Sequence, residues 1–293
     1  MPEFYEYIAP HIVGNEDIKK MLSLILFSRP ELGERLNVLL IGNAASGKSE
    51  MLVDLTRISN AKYATSKMSK AGLTGAMFGA NFVPGILTEC DKGIICIDEL
   101  DKIKAEERTA LLEALQKGTS TIIKAMHHKT ENARVNAIAA ANPISGKWTS
   151  VPKISEIPFD MPMLSRFHIV APYKDMPGSM YDRIAEGIEY KITNFETEQD
   201  MERREKIKQY VAMAKEKIER VDVPPEIVKE LGFWVGMLKD DSNFALPITP
   251  RMIEGMLSML RAKARMHMRN KVIKEDLDFA KKTVLNIQGK WNF

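Results

Sequence analysis

The segment Gly42-Asn43-Ala44-Ala45-Ser46-Gly47-Lys48-Ser49 constrains this chain more than any other stretch. It fits the spacing G-x-x-x-x-G-K-[ST] and lies between two segments of different character. Ahead of it, Leu36-Asn37-Val38-Leu39-Leu40-Ile41 reads as a buried strand; after it, Glu50 to Leu55 reads as a helix. A glycine-rich loop between such elements presents backbone N–H groups to an anion, and the helix N-terminus adds a favourable dipole. The expected ligand is a polyphosphate cradled by Gly42 through Ser49. Lys48 would reach its outer phosphates and the Ser49 hydroxyl would hold Mg2+.

The rest of the first half repeats the alternation. Ile18 to Phe27 has a helical apolar pattern, and Ala61 to Thr65 reads as a second strand. Gly93 to Asp98 is an apolar strand ending in carboxylates. Glu106 to Gln116 is an amphipathic helix with Leu111, Leu112 and Leu115 on one face. Asn136 to Ala141 and Ile169 to Ala171 complete the strands. This order predicts an α/β protein: an αβα sandwich around a central parallel sheet, with the site at the strand carboxyl ends. After Pro172 strands vanish. Glu196 to Lys208 is highly charged and reads as a linker or solvated helix. Four helices follow, over 207–221, 226–238, 251–269 and 275–285. Thr249 before Pro250 and Arg251 reads as an N-cap hydroxyl with Pro at the first helical position. The expected division is a nucleotide-binding core at 1–173, a linker at 174–208 and a small all-helical lid at 209–293.

Composition excludes several classes. With 45% hydrophobic residues the 293-residue chain can bury a sizeable core, and its mixed charge (+3 net) neither demands nor forbids a nucleic-acid partner. The two cysteines, Cys90 and Cys96, form no C-x-x-C pair and no zinc spacing, which predicts a reducing, intracellular setting. No apolar run is long enough to span a membrane.

Three further groups have chemistry suited to phosphoryl transfer. Asp98, at the end of a buried strand, can enter a Mg2+ shell, and Glu99 beside it can polarise an attacking water. Asn142, ending another strand before Pro143, can hydrogen-bond a γ-phosphate or that water. Arg166, within Leu164-Ser165-Arg166-Phe167, can stabilise transition-state charge on a neighbouring copy's nucleotide, and Arg251 is a second phosphate reader. Thr121 to Arg134 reads as a hairpin whose tip carries His127, His128 and Lys129, with Lys124 on one arm. Basic groups there suit nucleic-acid backbone contact, and a solvated loop is the alternative. Arg261, Arg265 and Arg269 recur every four residues and read as a solvent-facing stripe.

These elements, in this order, resemble AAA+ ATPases, and more closely the motor domain of the minichromosome maintenance (MCM) replicative helicases. The opening Ile8-Ala9-Pro10-His11-Ile12-Val13-Gly14 is similar to the family's lead-in, which lies near the adenine. The resemblance therefore implies base contacts from Ile12 and Val13. Ile97-Asp98-Glu99-Leu100-Asp101-Lys102-Ile103 matches the extended Walker B. Asn132-Ala133-Arg134 with Ala139-Ala140-Ala141-Asn142-Pro143 matches the hairpin exit and first sensor. Leu164-Ser165-Arg166-Phe167 matches the arginine finger, and Pro247-Ile248-Thr249-Pro250-Arg251 the second sensor, which in this family acts on the neighbouring subunit. Lys124 corresponds to a channel lysine that contacts DNA, and Ser69 to Thr74 to the entry of a helix insert, here short and marked by Gly75, Gly79 and Gly85. The P-loop interior departs from the family's usual Asp-Pro-Gly-Thr-Ala.

The resemblance implies ATP and Mg2+ as cofactors and a ring of identical copies. It implies DNA, single-stranded, as the partner in translocation or unwinding during replication. The cytoplasm (at the nucleoid) or nucleus would be the location. The family's N-terminal OB-fold and zinc-bearing region has no counterpart here. Two alternatives stay open: a remodeller of protein partners of the MoxR or chelatase type, and a helper subunit of another ring.

Overall fold

The computed structural model describes residues 4–78, 81–124, 127–194, 196–241, 245–246, 248–289 and 291; the side chains of residues 78, 123, 124 and 127 lie outside that description. In chain order the core comprises α1 (Glu16–Phe27), β1 (Val38–Gly42), α2 (Lys48–Ile58), β2 (Lys62–Ala64), α3 (Lys70–Thr74), β3 (Gly75–Phe78), β4 (Asn81–Pro84) and α4 (Ile86–Glu89). It continues with β5 (Ile94–Ile97), α5 (Ala105–Lys117), β6 (Thr119–Lys124), β7 (His127–Asn132), β8 (Asn136–Ala141), α6 (Met161–Leu164) and β9 (Ile169–Tyr173).

Five strands form one parallel sheet in the order β2-β5-β8-β1-β9. Its alternation is the two-sided burial expected of parallel strands. Val38, Leu40, Cys96, Ile138, Ala140 and Ala171 face one apolar cluster, containing α1 and α2. Leu39, Ile41, Ile95, Ile97, Ala139 and Val170 face the other, containing α5. The sheet thus lies between two layers, as the alternation predicts. The register brings the strand ends together: Ile41 pairs with Ala141, Ile97 with Ala139, and Gly42 with Tyr173. The residues just beyond those ends form the site.

Two hairpins leave this sandwich. β3 and β4 pair between β2 and β5, and β6 and β7 pair between α5 and β8. Strand β6 packs beside β3, so the hairpins lie side by side. One feature of the second hairpin corrects the sequence reading. Lys124 pairs with His127 and Ile122 with Lys129, so His127, His128 and Lys129 belong to an arm, not the tip. Ala125 and Met126, between Lys124 and His127, lie outside the described residues, as do Gly79 and Pro247.

Beyond β9 the described chain is helical except for one bridge between Asp222 and Lys271. The helices are α7 (Tyr181–Asn194), α8 (Glu198–Lys217), α9 (Pro225–Asp240), α10 (Pro250–Met266) and α11 (Lys274–Gln288). The segment 174–208 holds α7 and half of α8. Its charges support helix through close pairs: Asp200 with Arg203 and Arg204, Glu202 with Lys206. Thr249 stands at the N-cap of α10, but its side chain makes no capping bond; Pro250 at the first position does the pre-organising.

The arginine stripe is the clearest correction. Arg265 is 0% exposed; its guanidinium grips both carboxylate oxygens of Glu34 at 2.7 and 3.1 Å and donates to the carbonyls of Phe27, Ile218 and Glu219. Arg269 pairs with both oxygens of Asp276, and Arg261 donates to the Val221 carbonyl. Arg261 and Arg265 lie on an α10 face that packs inward, and Arg269 lies past the end of the helix.

Candidate nucleotide site and its arginine face

A cleft of about 440 Å³ opens at the carboxyl ends of β1, β5 and β8, lined by the loop residues 44–50 with Asp98, Glu99, Lys102 and Asn142. Gly47 turns the chain into α2 at φ +95°, a conformation that strongly favours glycine. Behind it lie Tyr173 and Ile12: a β-carbon on Gly47 would meet the Tyr173 hydroxyl at 3.6 Å and Ile12 Cδ1 at 3.8 Å. Lys48 folds over the loop. Its ammonium donates to the carbonyls of Gly42 (2.7 Å) and Asn43 (2.6 Å), and lies 3.2 Å from both Ser46 Oγ and Asn142 Oδ1. Burial pulls its pKa down to about 8, against the opposing pull of Asp98, Asp101 and Asp175. The charge is desolvated and held by neutral oxygens, so an anionic phosphate fits there. Ser49 is exposed at the cleft wall beside it.

The two carboxylates are separated by the backbone. Asp98 is nearly buried; its Oδ2 accepts from the Tyr63 hydroxyl at 2.8 Å and its Oδ1 from the Glu99 N–H at 2.9 Å. Burial first, and then the bond to Asp98, raise the Tyr63 hydroxyl above the ordinary phenol range, keeping it a donor. Glu99 turns away at φ +53°. Lys102 and Ser66 donate to its two oxygens, and these bonds, Lys102 foremost, hold its carboxyl below the usual range. Asn142 is fixed by its own N–H, which donates to Asp101 Oδ1 at 3.1 Å. Sequence reasoning assigned no role to Tyr63, Ser66 or Asp101. Asp101 stands in the Walker B stretch already quoted, whereas nothing in the spacing marks Tyr63 or Ser66.

The lead-in segment is anchored from two helices. Asp54 of α2 accepts from the Ala9 N–H at 2.7 Å, and the buried Lys19 of α1 donates to the carbonyls of Ala9 and Ile12. These bonds hold Ile12 against the loop, with Val13 half-buried after it.

Arg166 and Arg251 do not line this cleft. They gather elsewhere. Burial, and then Arg166, lower the Arg251 guanidinium; burial, and then Arg251, lower that of Arg35. Arg166 donates from Nη1 to Ser165 Oγ at 3.0 Å, and its Nε is buried without a hydrogen-bond partner among the described residues. His168, two residues on, is buried neutral: burial foremost, with Arg251 and Arg35, pushes it down to about 3, and its Nδ1 accepts the Asn37 N–H at 2.8 Å. Helix α10 brings Arg251 here because Gly255 allows close approach; a β-carbon there would stand 2.5 Å from His168 Cβ. A larger cavity of about 580 Å³, between Phe4, Tyr7, Asp200 and Tyr210, contains none of the motif residues.

The family profile described as the MCM P-loop domain matches residues 1–190. The chain belongs to the MCM family. The profile of the MCM AAA-lid domain matches residues 205–287, so both parts of the αβα-plus-lid architecture are accounted for. The chain is 33% identical to the minichromosome maintenance protein MCM of Saccharolobus solfataricus, over 93% of this chain and 42% of that protein. It is 30% identical to the DNA replication licensing factor mcm2 of Xenopus tropicalis (95% and 36%). It is 32% identical to the licensing factor mcm7 of Schizosaccharomyces pombe (93% and 39%). The chain therefore spans about two fifths of the length of these relatives. Among the described residues no helix is long and apolar enough to cross a membrane.

The departures from the MCM pattern have local explanations. Asn43 stands where the family usually has Asp, and its side chain ties the loop on both sides. Its amide donates to Asp175 Oδ2 at 2.5 Å and its oxygen accepts the Trp148 N–H at 2.6 Å. Ala45 stands where the family has Gly and holds φ +61°, which costs about 1 kcal/mol. Gly47 stands where the family has Ala. On the second hairpin, Lys129 is paired with Glu131 at 2.8 Å, and the Lys124 side chain lies outside the described residues.

Proposed function

We propose that this chain is an ATP-driven motor that hydrolyses nucleotide at the boundary between copies of a ring and moves DNA. The observation that carries the reading is the separation of the two halves of the site. The phosphate cradle and the carboxylates share one cleft, whereas Arg166 and Arg251 form a cationic face outside it, with Arg166 Nε unpartnered. Gly42 through Ser49 would cradle the triphosphate and Lys48 would exchange loop carbonyls for phosphate oxygens. Ile12 and Val13 would border the base. Ser49 and Asp98 suit a Mg2+ ion, a hard cation that takes oxygen ligands; when bound it would neutralise phosphate charge. Glu99, held ionised by Lys102 and Ser66, would accept the proton of the attacking water. Asn142 would report the γ-phosphate to Lys48 and Asp101. Arg166 and Arg251 would stabilise the developing charge from the next copy.

The DNA partner follows from the names of the relatives, two of them DNA replication licensing factors, and from the paired hairpins carrying Lys124 and Lys129. Residues 1–173 would form the motor core and 209–293 the lid, with 174–208 joining them. The work would be translocation or unwinding in replication, in the nucleus or at a nucleoid.

Measuring ATPase rate against protein concentration, with and without single-stranded DNA, tests the reading. Specific activity should rise with concentration, rise further with DNA, and lose the DNA increment in Lys124→Ala. A specific activity independent of concentration would sink the trans-acting arginines. A normal assembly with no response to any nucleic acid would favour a remodeller of protein partners.

A further inference from the structure

Two tryptophans far apart in the chain meet beside the phosphate loop. Trp148 lies in the segment that follows Asn142, and Trp291 lies just beyond α11. Their rings pack edge to face, with centroids 5.6 Å apart and planes at 82°. Both are buried in the apolar cluster on the α5 side of the sheet. Among the described residues, Leu246 and Trp291 are the two buried members of that cluster from beyond β9. The Trp291 indole N–H donates to the Val170 carbonyl at 2.9 Å, which ties this ring to β9. Trp148 has no such tie: its indole N–H is buried without a hydrogen-bond partner among the described residues. Packing holds that ring in place, and Trp291 is its aromatic neighbour.

The Trp148 backbone carries the contact to the phosphate loop. Its N–H donates to Asn43 Oδ1 at 2.6 Å, and the Gly146 carbonyl accepts from the Ala44 N–H at 3.0 Å. Gly146 makes that approach at φ +79°, a conformation suited to glycine. The segment is thus stitched to two successive residues of the loop. Asn43 also holds Lys48, whose ammonium donates to its backbone carbonyl at 2.6 Å. Turning Asn43 would move both the loop and the cation meant for phosphate. One run of contacts therefore joins Val170, Trp291, Trp148, Asn43 and Lys48.

We propose that Trp291 is a positioning residue for nucleotide binding: its ring fixes Trp148, whose N–H fixes Asn43 and so pre-forms the loop that receives the triphosphate. The inference rests on the reading of Gly42 through Ser49 as an ATP cradle. The physical gain is pre-organisation. A loop already held in its binding shape loses less freedom when phosphate arrives, and a loose one binds more weakly. Neither tryptophan lines the cleft, so the effect of Trp291 passes through Trp148 and Asn43. Because Trp291 follows α11, which packs beside β9, the lid acquires a hold on the phosphate loop of its own chain.

A double-mutant cycle on the whole chain tests it, read by binding of a fluorescent ATP analogue to the dilute protein, with far-UV circular dichroism to confirm folding. Trp291→Ala should weaken the analogue about tenfold. Asn43→Ala should weaken it as well, and adding Trp291→Ala to that variant should cost less than about twofold more, since the link is already cut. Trp291→Phe, which keeps an aromatic ring against Trp148, should recover most of the lost affinity, whereas Trp291→Leu should not. The leucine variant also replaces the alanine variant in the cycle if the latter does not fold. Losses at Trp291 and Asn43 that simply multiply would make Trp291 a purely structural residue and overturn the proposal. Equal affinities of the phenylalanine and leucine variants would overturn it too. A parent chain that binds no ATP analogue fails the cradle reading itself, and the positioning role with it. A parent that binds well beside an unaffected Trp291→Ala fails the positioning role alone.

Discussion

The P-loop side and the arginine side of this molecule are built on opposite terms. On the first, every charged group has an answer within the chain: Lys48 rests on two backbone carbonyls, Asp98 on Tyr63, Glu99 on Lys102 and Ser66. On the second, burial and then Arg166 lower the Arg251 guanidinium, and Arg166, whose Nη1 donates to Ser165 Oγ at 3.0 Å, has a buried Nε with no partner among the described residues. A cationic face whose buried Arg166 Nε finds no acceptor among the described residues suits an anion from outside. The difference separates what this chain is expected to do alone, which is hold a nucleotide, from what is expected to need a neighbour.

The largest break in that comparison is expected at Glu99. Glu99→Gln should leave nucleotide binding intact and cut phosphate release by about 100-fold or more, the range typical of a lost general base. Turnover near the parent rate would remove Glu99 from its role. Next is Arg166→Ala, expected to lose on the order of 100-fold in kcat. Mixing it with Lys48→Ala copies should recover activity, since a copy with an intact cleft can then meet a copy with an intact arginine. An arginine acting on its own chain's nucleotide would show no such recovery.

Gly255→Ala sharpens the comparison on the arginine side alone. Its new β-carbon would push α10 from His168 and Arg251 from Arg166, so kcat should fall about tenfold while nucleotide affinity of the dilute chain stays put. An unchanged kcat would mean that the close approach is not needed. The smallest effect concerns the P-loop side. Lys48 in the free chain titrates near pH 8, below its ordinary value. Phosphate binding needs the cation, so affinity should fall as pH rises above about 8, by at most about tenfold per pH unit. The sign for stability is the reverse. The folded chain holds fewer protons than the unfolded one above pH 8. This group's burial penalty is full below that pH and fades toward the ordinary lysine range. Affinity flat from pH 7 to 9 would contradict a Lys48 that titrates there.

Much of this was legible in residue order. Loops bind phosphate through backbone geometry, so glycine spacing announces them, and Asp98, Glu99 and Asn142 follow apolar runs that could only be buried strands. The parallel sheet and a site at its carboxyl ends also follow from alternation, whereas the strand order does not. What remained hidden was set by distant partners. Ser66 reaches Glu99 across 33 positions and Arg265 reaches Glu34 across 231, and no local pattern encodes either. The charge of 196–208 read as a linker or a solvated helix, and a largely exposed helix from Glu198 onward is what forms; the burial of Asp200 with Arg203 and Arg204 was not marked. The hairpin tip was misplaced because His127 and His128 look like turn residues until the one-to-one register is known.

The Arg265–Glu34 pair has a mechanical meaning. It joins α10 of the lid to the loop leading into β1 through a desolvated contact whose rupture would cost about 3–5 kcal/mol. Such a rivet resists a hinge at that point. Lid and core are then expected to travel as one rigid lever, with the slack of a working cycle taken up between copies. A spectroscopic ruler across the pair should read the same length with and without nucleotide, and a change would show that the rivet opens.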